Sequence, residues 1–376
     1  MSDAAIRPLT MPKWGLSMTK GKVVGWLIEE GTEIAPGLEI VDVETEKILS
    51  SVEGTTSGVL RRKIAHEGDV VQVGGLLGVI ATPCVTDRQI DQYIEDFQAS
   101  YTPENVEEED GGPVFQTADV DGFRINYLRR GEESKSAILL HGFGGDLNTW
   151  MFNQEALAAR HSVYALDLPG HGRSSKQVRE GSVAEFVKVL EGFMDSIGAS
   201  RVHLVGHSMG GAIASMFALN NPEHCLSLTL IASAGLGFEI NGAYIEGFVS
   251  ARRRNEIRPQ LENLFADSKL ITRQLVDDML KYKRLDGVES ALRTIAGQFC
   301  SADRQLVIMR EQIADLRIPI LVLWGSEDKI LPVSHSLNLP THIRAEIFEG
   351  SGHMVHMEAS SRLNKLISSF WESYSS

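Results

Sequence analysis

Val202-His203-Leu204-Val205-Gly206-His207-Ser208-Met209-Gly210 is the stretch that decides the fold of the larger part of this chain. An apolar run suited to a buried strand enters Gly-His-Ser-Met-Gly, and Met209 to Leu219 continues as a helix. A serine between two glycines at such a strand-to-helix turn sits on strained backbone, and larger neighbours would block the turn. The turn raises the hydroxyl above the sheet, which makes Ser208 the candidate nucleophile.

Outward from this point, apolar runs alternate with helical patterns. Strands are predicted at Phe123 to Arg129, Ala137 to Leu140, Val163 to Leu166, Val202 to Val205, Leu226 to Ala232, Ile318 to Leu323 and Arg344 to Phe348. That alternation implies a mostly parallel, doubly wound sheet. Between Leu226 to Ala232 and Ile318 lies a helical insertion, roughly 237–316, expected to form a cap.

Three further motifs follow predicted strands: His141-Gly142-Phe143-Gly144-Gly145, Trp324-Gly325-Ser326-Glu327-Asp328 and Gly350-Ser351-Gly352-His353. With Gly206-x-Ser208-x-Gly210 they resemble the α/β-hydrolase superfamily over 114–376, in the order serine, acid, histidine. The resemblance implies that His353 takes the Ser208 proton and that Asp328 fixes the imidazole tautomer. It also implies an oxyanion hole built from the backbone N–H groups of Phe143 and Met209. Glu327 and His356 are the local competitors, each offset from the matching loop position. Asp167-Leu168-Pro169-Gly170-His171-Gly172-Arg173-Ser174 is read as a structural strand-exit turn, with His171 outside the chemistry.

The first part of the chain, 1–83, has a different grammar. Short β segments are broken by Gly21, Gly31, Gly37, Gly54, Gly58, Gly68 and Gly74, without a helical period. Glu30-Gly31-Thr32-Glu33-Ile34 recurs as Glu67-Gly68-Asp69-Val70-Val71, and Gly37 recurs as Gly74, both 37 residues on (68 − 31, 74 − 37). Two halves related by a pseudo-two-fold axis, closed into a flattened barrel or sandwich, are expected. The offset pairs Lys47 with Cys84, where the chain leaves, and so puts Lys47 at the far end, near the tip of a hairpin between Ile40 to Val43 and Ile48-Leu49. With Met11-Pro12-Lys13-Trp14-Gly15-Leu16-Ser17-Met18, this layout resembles the lipoyl domains of 2-oxo acid dehydrogenase complexes. The resemblance implies lipoate on Lys47. Biotin carriers share the fold but prefer Met on both sides of the lysine, whereas here Glu46 and Ile48 flank it.

The connection is 84–113. Thr86-x-x-Gln89 has the form of a capping box, and Ile90, Tyr93, Ile94, Phe97 and Tyr101 recur at helical spacing. The amphipathic helix is expected to pack on a neighbouring domain. Pro103 to Pro113, with Glu107-Glu108-Glu109-Asp110-Gly111-Gly112, reads as a self-repelling linker whose r.m.s. reach is about 17 to 20 Å.

A formal net charge of −14 argues against nucleic acid and anionic membranes as partners. No signal peptide or membrane span is read, which places the protein in the cytoplasm. Cys84, Cys225 and Cys300 lack metal or disulfide spacing and are read as buried small hydrophobes.

A lipoyl-type domain fused to an α/β-hydrolase domain resembles the dihydrolipoamide acetyltransferase component of bacterial acetoin dehydrogenase systems. The resemblance implies transfer of acetyl from lipoyl-Lys47 to coenzyme A through an acyl-serine. Its implied partners are a thiamine-diphosphate-dependent acetoin dehydrogenase component, dihydrolipoamide dehydrogenase and a lipoate-attaching enzyme. Arg252-Arg253-Arg254, with Lys281, Lys283 and Arg284, is then either a solvated face or the place where coenzyme A phosphates bind. The competing functions are a thioesterase or carboxylesterase with a tethered carrier, and a carrier or scaffold subunit.

Overall fold

The computed structural model describes residues 6–12, 18–35, 37–45, 49–54, 56–101 and 115–374, which divide into two compact units. Lys13, Lys47 and the acidic linker lie outside the described residues.

The amino-terminal unit holds eight short strands: β1 Ile6–Thr10, β2 Lys20–Trp26, β3 Glu33–Ile34, β4 Glu39–Glu44, β5 Leu49–Glu53, β6 Gly58–Lys63, β7 Val70–Gln72 and β8 Leu76–Ala81. They form two four-stranded sheets, β1-β8-β6-β3 and β5-β4-β2-β7. Exchanging β1 with β5, β2 with β6, β3 with β7 and β4 with β8 converts one order into the other. The pseudo-two-fold inferred from the repeat is therefore present in the strand order. The repeated glycines keep it at the turns, with φ of 90° at Gly31 against 93° at Gly68, and 79° at both Gly37 and Gly74. Those left-handed values explain why glycine recurs. Val23, Ile40, Val43, Leu60 and Leu77 fill the space between the sheets.

Helix α1 (Asp87–Ser100) starts with the expected capping box at Thr86 and Gln89. It buries Ile90 against Val79, Ala81 and Val85, with Tyr93, Ile94 and Phe97 alongside, so its apolar face is used within its own unit. Arg61 reaches the carbonyls of Thr82 and Val85 as well as Asp87. Cys84 is exposed, beside Thr82 Oγ1, which corrects the expectation of burial. Cys225 is buried and Cys300 half-buried.

The second unit is built on an eight-stranded sheet. Its strands are β9 Phe115–Val120, β10 Phe123–Arg130, β11 Ser136–Leu140, β12 Ser162–Leu166, β13 Val202–His207, β14 Cys225–Ile231, β15 Ile320–Gly325 and β16 Ile343–Phe348. The order is β16-β15-β14-β13-β11-β12-β10-β9, parallel from β16 to β12 and closed at one edge by the antiparallel β10 and β9. β9 was not read from the sequence. It joins β10 through Asp121 and Gly122, both at positive φ, as in a tight hairpin turn. Every residue of β13 and β15 is buried, as expected of parallel strands covered on both faces.

Helix α2 (Val183–Ser196) packs on α3 (Met209–Asn220), and α3 packs on β13 and β14. The insertion supplies α4 Gly242–Ser250, α5 Arg254–Glu262, α6 Arg273–Lys283 and α7 Val288–Phe299. No helix among the described residues is long and apolar enough to cross a membrane.

Candidate active site

Ser208 stands between β13 and α3 with φ 52° and ψ −117°, a left-handed conformation costing about 1 to 3 kcal/mol that the surrounding structure must hold in place. It is held by its N–H donating to Ile231 O at 3.0 Å and by its carbonyl accepting from Ala234 N at 3.0 Å and Gly211 N at 2.9 Å. The glycines are needed for the reason inferred from sequence. A Cβ on Gly206 would lie 2.3 Å from Gly210 O, and one on Gly210 would lie 2.2 Å from Leu140 O. Both obstacles are backbone, so no side-chain rotation relieves them. Gly206→Ala is expected to destabilise the hydrolase unit by about 3 kcal/mol, read as a lower urea midpoint; an unchanged midpoint would contradict the packing described.

Asp328 and His353 leave the sheet on the loops after β15 and β16. His353 Nδ1 lies 2.8 Å from Asp328 Oδ2, with the side chains 3% and 0% exposed. The other carboxylate oxygen accepts from Ile330 N at 2.8 Å and Leu331 N at 2.9 Å. The acid is thus fixed on both oxygens, and its orientation selects the Nδ1–H tautomer of His353, leaving Nε2 as acceptor. The two loops can approach this closely because a Cβ on Gly325 would meet Gly352 O at 2.2 Å.

The competitors lie elsewhere. Glu327 is exposed. His356 is fully buried with neither ring nitrogen partnered among the described residues, and its ring lies 4.7 Å from Trp150 and 4.5 Å from His207. Burial first, and the charge of His353 second, push its pKa down to about 3, so it remains an uncharged packing element.

The loop after β11 brings Gly142 against the elbow, since a Cβ there would come within 3.1 Å of Ser208 Cβ. The N–H groups of Phe143 and Met209 donate to no other group among the described residues. Ser208 Oγ makes no hydrogen bond among the described residues, to His353 or to any other group, so of the three side chains only Asp328 and His353 are hydrogen-bonded to each other.

His207 was only a spacer in the sequence reading. Its Nε2 hydrogen-bonds to His353 O at 3.0 Å, tying the elbow to the His353 loop. No sequence signal beyond its place next to Ser208 pointed to this. Asp167 anchors the strand-exit turn, accepting from Leu147 N at 2.8 Å, Arg173 N at 2.7 Å and Asn126 Nδ2 at 2.8 Å. Burial raises its pKa to about 6.

The basic run of the insertion is largely matched by acids. Arg252 Nη2 sits 3.1 and 3.0 Å from the two oxygens of Glu289, and Arg254 makes a two-pronged pair with Asp277 at 2.5 and 2.6 Å. Lys281 pairs with Asp278 at 3.1 Å. Lys283 Nζ donates to the carbonyls of Phe248 and Val249, and burial lowers its pKa to about 8. These contacts favour the solvated-face reading of the cluster over a dedicated anion cradle.

A model of the alpha/beta hydrolase fold matches residues 138–360, and one described as Biotin-requiring enzyme matches residues 7–80. The meta-cleavage product hydrolase from Pseudomonas fluorescens IP01 aligns with a TM-score of 0.63 at 24% identity, over 69% of this chain and 97% of that one, a likeness of fold alone. The molecule is an α/β-hydrolase-fold protein that carries a biotinyl/lipoyl-type domain. The chain is 44% identical over 363 residues, 96% of each protein, to the dihydrolipoyllysine-residue acetyltransferase component of the acetoin cleaving system of Cupriavidus necator. It is 45% identical over 366 residues to the same component of Pseudomonas putida, over 97% of this chain and 98% of that one. It belongs to this family of dihydrolipoyllysine-residue acetyltransferase components.

Proposed function

We propose that this chain is the acetyltransferase of an acetoin cleaving system, moving an acetyl group from a thioester carried on Lys47 to coenzyme A through acetyl-Ser208. The observation that supports the reading is a strained Ser208 turn and a buried His353–Asp328 pair at the ends of strands of one sheet, in a chain that also has a lipoyl-type domain.

Lipoate in amide linkage to Lys47 fits the carrier unit. β4 and β5 pair with Glu44 opposite Leu49, so Lys47 belongs to the connection between them. Bound there, lipoate would supply a thiol able to carry the acetyl group as a thioester.

Ser208 Oγ attacks the thioester carbonyl while His353 Nε2 takes the hydroxyl proton and Nδ1–H stays on Asp328. Phe143 N–H and Met209 N–H meet the oxygen as it gains charge, which is where fixed dipoles are most effective. Return of the proton from His353 to the leaving sulfur would free the carrier thiol and leave the acetyl group on Ser208. The imidazole then takes the thiol proton of coenzyme A, whose sulfur attacks the ester, giving acetyl-CoA and free Ser208. Water in the same role would give acetate and make the enzyme a thioesterase.

The phosphates of coenzyme A are proposed to meet the Arg252, Arg253 and Arg254 edge. Because Arg252 and Arg254 already share their charge with Glu289 and Asp277, the expected effect is modest. Replacing all three with alanine should raise the KM for coenzyme A about fivefold and weaken its salt dependence, with acylation of Ser208 unchanged. An unaltered KM would return the run to a purely structural role. The partners proposed are the thiamine-diphosphate-dependent acetoin dehydrogenase component, dihydrolipoamide dehydrogenase and a lipoate-attaching enzyme, in the cytoplasm.

The test is to add acetyl-dihydrolipoamide without coenzyme A, quench, and map acetyl by peptide mass. Acetyl on the Ser208 peptide, chased into acetyl-CoA when coenzyme A is added, is expected; transfer with no acylated peptide at any time would overturn the acyl-serine route.

A further inference from the structure

The loop that carries Phe143 makes a turn closed by Gly145 N donating to Gly142 O at 3.1 Å. A pair of histidines braces that turn. His141 Nδ1 hydrogen-bonds to Gly142 O at 2.8 Å, and its Nε2 accepts from Leu168 N at 3.0 Å. His171 Nε2 accepts from Gly144 N at 3.1 Å, and its Nδ1 hydrogen-bonds to Pro169 O at 3.0 Å. Each ring therefore joins the loop after β11 to the loop after β12, with one nitrogen donating and the other accepting. The rings meet edge to face with centroids 4.9 Å apart, and both are 0% exposed.

Gly144 needs this brace. Its φ is 72°, a value that calls for glycine at the third position of a turn, and the space where a Cβ would stand is taken by the Phe248 ring, 2.4 Å away. Its N–H has one partner among the described residues, and that partner is His171. The peptide that presents the Gly144 N–H to His171 begins at the carbonyl of Phe143. Fixing its plane restricts ψ of Phe143, while the Phe143 N–H belongs to the preceding peptide, whose carbonyl, Gly142 O, is held by His141 Nδ1; the plane on each side of Phe143 is thus tied to one of the two histidines.

We propose that His171 is a positioning residue for the oxyanion hole: by accepting the Gly144 N–H it aims the Phe143 N–H at the carbonyl attacked by Ser208. The inference rests on the acyl-Ser208 reading and assigns a role to a side chain that the sequence set outside the chemistry.

His171 must be neutral to do this, because a proton on Nε2 would face the Gly144 N–H. Burial, reinforced by the neighbouring His141, holds its pKa well below the usual histidine value, and burial pushes that of His141 down to about 4. The brace therefore stays intact at neutral pH.

The test separates hydrogen bonding from packing. His171→Phe keeps a ring in the site but cannot accept, whereas His171→Gln presents an amide oxygen that can. In the full-length protein, p-nitrophenyl acetate reports acylation as a burst of nitrophenolate, and the burst amplitude counts active sites, so misfolded protein drops out. Affinity for phenylboronic acid, which adds to a serine as a tetrahedral anion, reports the oxyanion hole itself. His171→Phe is expected to slow acylation about 100-fold per active site and to weaken boronate binding in proportion, with KM within about twofold, because a small misaim of one donor costs that much. His171→Gln should recover most of both.

Equal losses in the two variants, a loss confined to KM, or wild-type values in His171→Phe would overturn the proposal. If His171→Phe yields no active sites, His171→Leu takes its place against His171→Gln under the same criteria. A burst lost in Ser208→Ala but unchanged in His171→Phe removes this inference alone, whereas a burst that persists in Ser208→Ala removes the nucleophile on which it rests.

Discussion

Replacing Ser208 with alanine is expected to slow acetyl transfer about a millionfold and to abolish the covalent acetyl intermediate. The magnitude follows from the proposed mechanism, in which without this side chain His353 has no proton to take and the thioester carbonyl has no nucleophile. Only binding and the two backbone donors then remain to assist direct attack, worth about 10³ to 10⁴ over water. The fold should survive. Ser208 is held by its backbone, through Ile231 O, Ala234 N and Gly211 N, and alanine removes none of those bonds. Near-normal transfer by Ser208→Ala, with native circular dichroism, would mean that the thiol of coenzyme A attacks the thioester directly.

The second large effect is at Lys47. Lys47→Ala is expected to end turnover of the assembled complex, because the acetyl group then has no carrier between the enzyme that generates it and Ser208. Cleavage of small soluble thioesters should persist at close to the wild-type rate. Intact mass should show one lipoyl group on the parent protein and none on the variant. Lys13, Lys20, Lys22 and Lys63 serve as internal controls in the same domain. Lipoate mapped to one of them, biotin in its place, or full complex turnover by Lys47→Ala would contradict the carrier assignment.

The parts that could be read from the sequence are those written in local geometry. The elbow could be read because strained backbone demands glycines at fixed spacing around Ser208, and the clashes at Gly206 and Gly210 show the demand to be real. Asp328 and His353 could be placed because each follows a buried strand, and parallel strands bring their carboxyl ends together. The carrier repeat could be read because Gly31 and Gly37 need the same left-handed turns as Gly68 and Gly74.

What could not be read depends on groups distant in sequence or on backbone atoms. His171 and His207 act on the Gly144 N–H and the His353 carbonyl, and a backbone group leaves no signature in its partner's sequence. The Arg252 to Arg254 run looked like a positive field because its acids, Asp277 and Glu289, lie on other helices. β9 was missed because Phe115–Val120 alternates too weakly to announce an edge strand. Cys84 was expected to be buried on residue type alone, yet it lies where the chain leaves β8 for the capped start of α1 and is exposed.

Product partition tests the central claim most directly. Purified, lipoylated protein is given acetyl-dihydrolipoamide with and without coenzyme A, and acetyl-CoA and acetate are counted together over the same interval. Acetyl-CoA as the main product, with acetate formation suppressed as coenzyme A rises, is the predicted result. Acetate released at one rate whether or not coenzyme A is present, with no acetyl-CoA formed, would contradict it and make the enzyme a thioesterase.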